Sequence, residues 1–286
     1  MAERDSSVAT DEPRNSPALT VTFDTNTLAS VVWPENPQCE NAEAAITVQA
    51  AVQDGRIRGF FSETVITLEG VLNYERSEIL GKTRVMVDVT ASGENHPGGK
   101  VNFGFSVGSK HVRNPLNPQF LARIRGALNL GMLPLQTIAL FTRRHDDRFP
   151  LFRPAGGNDE LLRCMDKVNA LTLEIMNRGF GQAVARDIGV RFSERRESTT
   201  EPELWHQGLG RARNPAEKKK VAKAIREWAD GDSVGAHYGF GIQLFCTNDF
   251  GGAGPSVLDH NNRKWLNEEF GIEFVTLIEL AQKVTE

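Results

Sequence analysis

Cysteine is scarce in this chain, and the scarcity excludes two classes of protein. The three cysteines, Cys39, Cys164 and Cys246, are too few and too far apart for a disulfide framework or a cysteine-built zinc site. A reduced, cytoplasmic setting is the expectation. Long apolar runs are missing as well. Nothing approaches the ~20 residues that cross a bilayer, so no membrane partner is expected. Residues 1–17, MAERDSSVATDEPRNSP, lack the apolar core of a signal peptide and read as a flexible leader. There is no basic excess: 33 lysines and arginines against 37 acids leave a formal charge of −4. Any contact with nucleic acid must therefore use a local patch. HPGG at 96–99 is followed by neither a helix start nor a Lys-Ser/Thr pair, which excludes a phosphate-binding loop there.

What is present suffices for a core: 286 residues, 40% of them hydrophobic and 24% charged. Ala18 to Phe23 is rich in β-formers and stops at Asp24. CENAEAAITVQAAVQDG has helical spacing and ends at Asp54-Gly55. RIRGFFS reads as a second strand, and ETVITLEGVLNYERSEIL as one helix closed by Gly81. TRVMVDVT and KVNFGFSV alternate, which predicts a β-hairpin over about 82–108 that projects from the domain to meet RNA or a partner. FLARIRGALNLGMLPLQTIALF is helical in pattern but interrupted by Gly131 and Pro134. ELLRCMDKVNALTLEIMNRGFGQAVARDIG is one long helix or two, broken near Gly179 and Gly181. NPAEKKKVAKAIREWADG begins a helix with Asn214 as cap and Pro215 in the first turn. FGIQLFCTND is an apolar run, and GIEFVTLIELAQKVTE a last strand running into a short helix. Strands alternating with helices imply an α/β fold with a mainly parallel sheet.

Ligands of such sheets sit beyond the carboxyl ends of the strands. Asp24 follows the first strand and Asp249 follows IQLFC, so two acids distant in sequence are expected on one rim. Glu69, facing inward from its helix, and Asp232, ahead of a small-residue helix, fit the same rim. Asp230 stands two residues from Asp232 and is the alternative third acid. Crowded carboxylates need a compensating charge. Hard oxygen donors of this kind suit Mg²⁺ or Mn²⁺.

VTFDTNTLAS, SETVITLEGV, GDSVGAHYGFGIQLFCTNDFG and GIEFVTLIELAQ resemble, in this order, the successive motifs of the PIN domain. The resemblance covers roughly the first 80 residues and the last 60. It implies a three-layer α/β/α sandwich over 18–286, with a large central insertion at about 82–210 that contains the hairpin and helices. It implies a metal-dependent endoribonuclease that binds Mg²⁺ or Mn²⁺. Asp24 and Asp249 would be direct ligands. Glu69 and Asp232 would hold a second ion or its waters, and Asn26 and Thr247 would orient the acids. RNA is the implied substrate. An inhibitory or tethering protein is the implied partner, and the oligomeric state stays open, a homodimer included.

Arg211, Arg213, Lys218, Lys219, Lys220, Lys223 and Arg226 crowd the start of the helix that leads to the third acid. Such a run is either a solvated face or the patch that draws a phosphate backbone towards an acidic site. Arg143, Arg144 and His145 are a second candidate for the same task. His237 reads as a packed helix residue, Trp205 and Trp228 as core aromatics and Cys246 as an inert core thiol. Two rivals bear on function. One is a PIN-like module that binds RNA or protein without cutting. The other is a haloacid dehalogenase-type phosphatase, which needs a proton-donating Asp where Asn26 stands.

Overall fold

The computed structural model describes residues 18–92, 100–109, 117–137, 149–195, 204–251 and 255–286, with 83–92 and 100–109 described by backbone alone. The leader over 1–17, the hairpin turn over 93–99 and Arg143, Arg144 and His145 lie outside the described residues. In chain order the elements are β1 (Leu19–Phe23), α1 (Thr25–Val32), α2 (Ala42–Gln53), β2 (Ile57–Ser62), α3 (Thr64–Thr67) and α4 (Arg76–Gly81). Then come β3 (Thr83–Ser92), β4 (Lys100–Ser109), α5 (Pro118–Asn129), β5 (Leu133–Leu135), α6 (Gly157–Asn177), α7 (Gln182–Ser193) and α8 (Trp205–Leu209). α9 (Pro215–Gly239), β6 (Leu244–Cys246), α10 (His260–Phe270), β7 (Glu273–Val275) and α11 (Leu277–Lys283) complete the chain.

The central sheet has the order β5-β2-β1-β6-β7, and every pairing in it is parallel. Helices cover both faces, which makes a three-layer α/β/α sandwich. Alternation along the strands divides the core. Phe23, Phe61 and Cys246 face one layer, with Leu28, Val48, Ile124 and Leu280 from α1, α2, α5 and α11. Phe60 faces the other with Ala236 of α9, and Phe245 packs there with Val234 of α9 and Leu171 of α6. The central strands are buried on both faces towards their carboxyl ends, as a covered parallel sheet requires. A further helical cluster, including Leu80, Ile188, Leu209 and Trp228, joins α4, α7 and α8 to the first half of α9.

Strand order runs outward from β1 in two directions, to β2 and β5 on one side and to β6 and β7 on the other, so it reverses between β1 and β6. The register aligns Phe23 with both Phe61 and Cys246. Residues that follow those three therefore emerge on one rim, at the switch point where open α/β sheets place their ligands.

The structure departs from the sequence reading at several points. The stretch 63–81 forms two short helices and not one. Between them, the buried Arg76 guanidinium takes the carbonyls of Glu69 (3.1 Å) and Val71 (3.1 Å), which a continuous helix would have committed to its own ladder. Glu69 thus sits in a turn and not on a helix face. The expected insertion over 82–210 supplies part of the sandwich: β5 pairs with β2 at the sheet edge. Pro134 is tolerated there because an edge strand need not donate on both sides. β3 and β4 do form an antiparallel pair, Thr83 opposite Ser109 through Ser92 opposite Lys100, in a sheet of their own. α6 and α7 are separate, broken where Gly179 (φ 86°) and Gly181 (φ 59°) turn left-handed. α9 does not restart before residue 232 but runs unbroken for 25 residues. Its second half lies close against α6. A methyl group on Gly239 would stand 2.7 Å from the Cys164 carbonyl oxygen and 2.9 Å from the Val168 nitrogen. α10 was not anticipated, although its signals are local: Asp259 caps Asn262 N–H at 2.9 Å, and Gly271 ends the helix at φ 68°. Among the described residues no helix is long and apolar enough to cross a membrane.

Candidate acidic site at the carboxyl rim of the sheet

Asp24 leaves β1 at the centre of the sheet and begins α1. As a helix cap it accepts the Thr25 N–H at Oδ1 (2.7 Å). Its other oxygen does something a cap does not require. Oδ2 accepts from the Asn26 amide (2.8 Å) and from the Thr247 hydroxyl (2.8 Å), which arrives from beyond β6. The side chain is only 9% exposed. Burial, followed by the negative charge of Glu69, pushes its carboxyl up to about 6, against the hydrogen bonds from Thr247 and Thr25.

Thr247 links two acids. Its hydroxyl donates to Asp24 and accepts the Asp249 N–H (3.0 Å). Asn26 does similar work: its amide donates to Asp24 while its carbonyl oxygen accepts the Asn248 N–H (3.3 Å). Asn248 in turn accepts the Leu277 N–H (3.1 Å), which anchors the β6 exit to α11. Asp249 is exposed, and its Oδ1 accepts the Gly251 N–H (2.9 Å) as in a turn. The turn carries its charge to the rim, where it bears on both Asp24 and Asp230.

Glu69 approaches from the turn after α3. The Thr25 hydroxyl donates to its Oε2. Burial raises its carboxyl, while Thr25 and then the cations Arg76, Arg123 and Arg226 lower it. Arg76 also reaches the Ala222 carbonyl (3.4 Å), so the Glu69 turn is tied to α9.

Of the two candidate acids on α9, Asp230 is the one on which the charges of the rim bear. Burial and then Asp24, Glu69, Glu227 and Asp249 hold its carboxyl well above the usual carboxylate range. Asp232, chosen from sequence, points elsewhere. It accepts Trp228 Nε1–H at 3.0 Å inside the helical cluster, and its rise to about 7 comes from burial with no acid contributing. The reason is helical phase. Residues two apart on a continuous helix differ by about 200°, so they occupy opposite faces. Asp232 continues the buried stripe Val221, Ile225, Trp228. Asp230 continues the exposed stripe Lys219, Lys223, Arg226.

The basic residues expected to bind a phosphate backbone lie at the other end of that helix. Arg211 and Arg213 precede α9, and Lys218, Lys219, Lys220 and Lys223 occupy its exposed first turns. At a 1.5 Å rise, Lys219 stands about 16 Å along the axis from Asp230. The other residues singled out from sequence are structural. His237 is buried against Phe245, faces the Thr22 hydroxyl at 3.0 Å and is pulled down to about 3 by burial, so it is neutral. Trp228 and Cys246 are fully buried. The arginines Arg76, Arg123 and Arg263, which bear on the acids, carried no signal in sequence.

Among the described residues no three His, Cys, Asp or Glu side chains are drawn together as a ready coordination group. Asp24, Glu69, Asp230 and Asp249 are the side chains that could hold a hydrated divalent ion here. Mg²⁺ keeps several waters and is held by one or two carboxylates plus substrate phosphates. Asp24 and Asp249 are hard donors joined through Thr247, and mutual repulsion already perturbs the acids around them.

No protein-family model matches the chain, and no curated protein or solved structure matches it.

Proposed function

We propose that this protein is a metal-dependent nuclease of PIN type that hydrolyses RNA phosphodiester bonds. The observation that carries the reading is the junction at the switch point of the sheet. The Thr247 hydroxyl there donates to the Asp24 carboxylate and accepts the backbone N–H of Asp249, 225 residues away in sequence, and Glu69 and Asp230 add their charge. Such a concentration of negative charge is relieved either by protonation or by cations opposite it, and a bound cation is the second route.

Asp24 and Asp249 would hold a Mg²⁺ or Mn²⁺ ion, with Glu69 and Asp230 holding its waters or a second ion. When bound, that ion supplies an activated water and neutralises charge on the phosphoryl oxygens. The chain's own residues do the rest. Asn26 and Thr247 fix the Asp24 carboxylate, and Thr25 fixes Glu69, so these acids need not reorganise as substrate arrives. Arg76, Arg123 and Arg226 line the Glu69 side with positive charge. The exposed cations of α9 offer the neighbouring phosphates a path that leads to Asp230. Asp232 takes no part.

The test is cleavage of structured and unstructured RNA in Mn²⁺ by wild type and by Asp24→Asn. Wild type should cut, and chelation of the metal should stop it. Asp24→Asn should fall below about a hundredth of the wild-type rate, the scale of loss when a group that stabilises transition-state charge is removed. Cutting that persists in the variant rejects the site. RNA binding without cutting by wild type would make the chain a binding module. Phosphate release from small monoesters without RNA cleavage would make it a phosphatase.

A further inference from the structure

Phe250 follows Asp249 directly, and its ring is 61% exposed. A lone exposed aromatic needs no explanation by itself. This one has a specific neighbour. The Arg263 guanidinium of α10 lies 4.7 Å from the Phe250 ring centroid and 5.2 Å from that of Phe274 beneath. Its Nε is spent on the Leu258 carbonyl (2.8 Å), while its Nη2 has no hydrogen-bond partner among the described residues. The charges that act on it are Asp249 and Asp24, the two acids of the rim, and then Glu279. A largely exposed aromatic ring in contact with a cation therefore stands one residue from the candidate ligand Asp249.

We infer that Phe250, backed by Arg263, is a stacking platform for one nucleobase of a single-stranded nucleic acid whose adjacent phosphate enters the acidic site. The inference rests on the nuclease reading and deepens it by naming the state of the strand. A base in a duplex has both faces covered by its neighbours, so only an unpaired base can lie on the open face of Phe250. Stacking of a base on an aromatic side chain is strong enough to fix position and indifferent to base identity. The guanidinium behind the ring adds cation–π attraction to Phe250 and partly offsets the repulsion that Asp249 exerts on an incoming phosphate. Phe250 is then a positioning residue. It holds a nucleotide while the carboxylates act on the bond beside it.

The experiment uses the full chain carrying Asp24→Asn, so that strands stay intact. Fluorescence anisotropy in Mg²⁺ measures its binding to a labelled mixed-sequence oligoribonucleotide and to a blunt duplex of the same sequence. Adding Phe250→Ala should weaken single-strand binding by about 5- to 150-fold, the loss expected for one stacked base. Phe250→Tyr, which keeps the ring, should restore it. The melting temperature should not move in either variant, since the ring is exposed. Single-strand affinity unchanged by Phe250→Ala overturns the platform. So does an equal loss on single strand and duplex, which would make Phe250 a general contact. A parent that binds neither oligonucleotide overturns the nuclease reading together with the platform. Wild type that binds single strands through Phe250 yet cuts none overturns the nuclease reading alone.

Discussion

The two faces of α9 differ in what they ask of an aspartate. On one, Asp232 is 4% exposed among aliphatic and aromatic side chains, with the Trp228 indole as its donor. On the other, Asp230 meets Asp24, Glu69 and Asp249 across the rim, at the end of a row of cations. Both carboxyls are raised, for different causes. Burial alone raises Asp232, against the hydrogen bond from Trp228, whereas four other acids add to burial at Asp230. A raised carboxyl therefore does not separate the two faces; the presence of other acids among its causes does.

The largest effect should separate the two faces directly. Asp230→Asn is expected to lower Mn²⁺-dependent RNA cleavage by about 10- to 100-fold, the cost of losing a group that orients or supports a metal site. Asp232→Asn can still accept from Trp228, so its cleavage rate should match wild type and its stability should stay within about 1 kcal/mol. A cleavage defect in Asp232→Asn with normal cutting by Asp230→Asn would reverse the comparison.

A second effect tests whether tight helix packing sets the phase of α9. Gly239→Ala drives a methyl group into the backbone of α6 at Cys164 and Val168. Urea unfolding should show a loss of about 1–3 kcal/mol, as overpacking commonly costs. RNA cleavage should fall with it if displacement of α9 carries Asp230 off the rim. A variant as stable and active as wild type would mean that the helix can slide without consequence.

The smallest effect concerns the buried end of the same helix. His237 is held near 3 in the fold, against 6.5 for an ordinary histidine, because burial disfavours its cation. Below about 6.5 the unfolded chain takes up a proton that the fold refuses, so this residue's contribution is complete above that pH. It drains away as the pH falls from 6.5 towards 3. His237→Gln keeps a hydrogen-bonding partner for Thr22 and cannot titrate. Its stability should be lower than wild type at neutral pH but should decline less steeply through that window, as read by thermal melts across pH. Parallel pH profiles would show that His237 does not contribute to acid sensitivity.

Much of the sandwich was legible in the chain. β1, β2, β6 and β7 lie within the stretches expected to form them, because the strand residues that meet the core are apolar. The Asn214-Pro215 start of α9 was written in its capping chemistry, and the Asn214 side chain does accept Glu217 N–H at 2.9 Å. β5 was not legible. Three residues containing a proline form no pattern, and they become a strand only because β2 offers an open edge. The turn that carries Glu69 was hidden for a similar reason. It exists because Arg76 binds the carbonyls of Glu69 and Val71, and a guanidinium's choice of partner is not a local property of sequence.

Sequence by itself determined the alternation of elements, the position of Asp24 and Asp249 at strand ends, and the row Lys219, Lys223, Arg226, Asp230, whose spacings of four, three and four define one helical face. Tertiary structure alone decided that α9 is continuous, and so that this row and not Asp232 reaches the acids. It also decided that Arg76, Arg123 and Arg263 gather around them. The division has a physical cause. Strand and helix periodicities are fixed by bonds between residues a few positions apart. Which charges face one another is fixed by contacts across the fold, whose energies depend on burial and distance that no local pattern encodes.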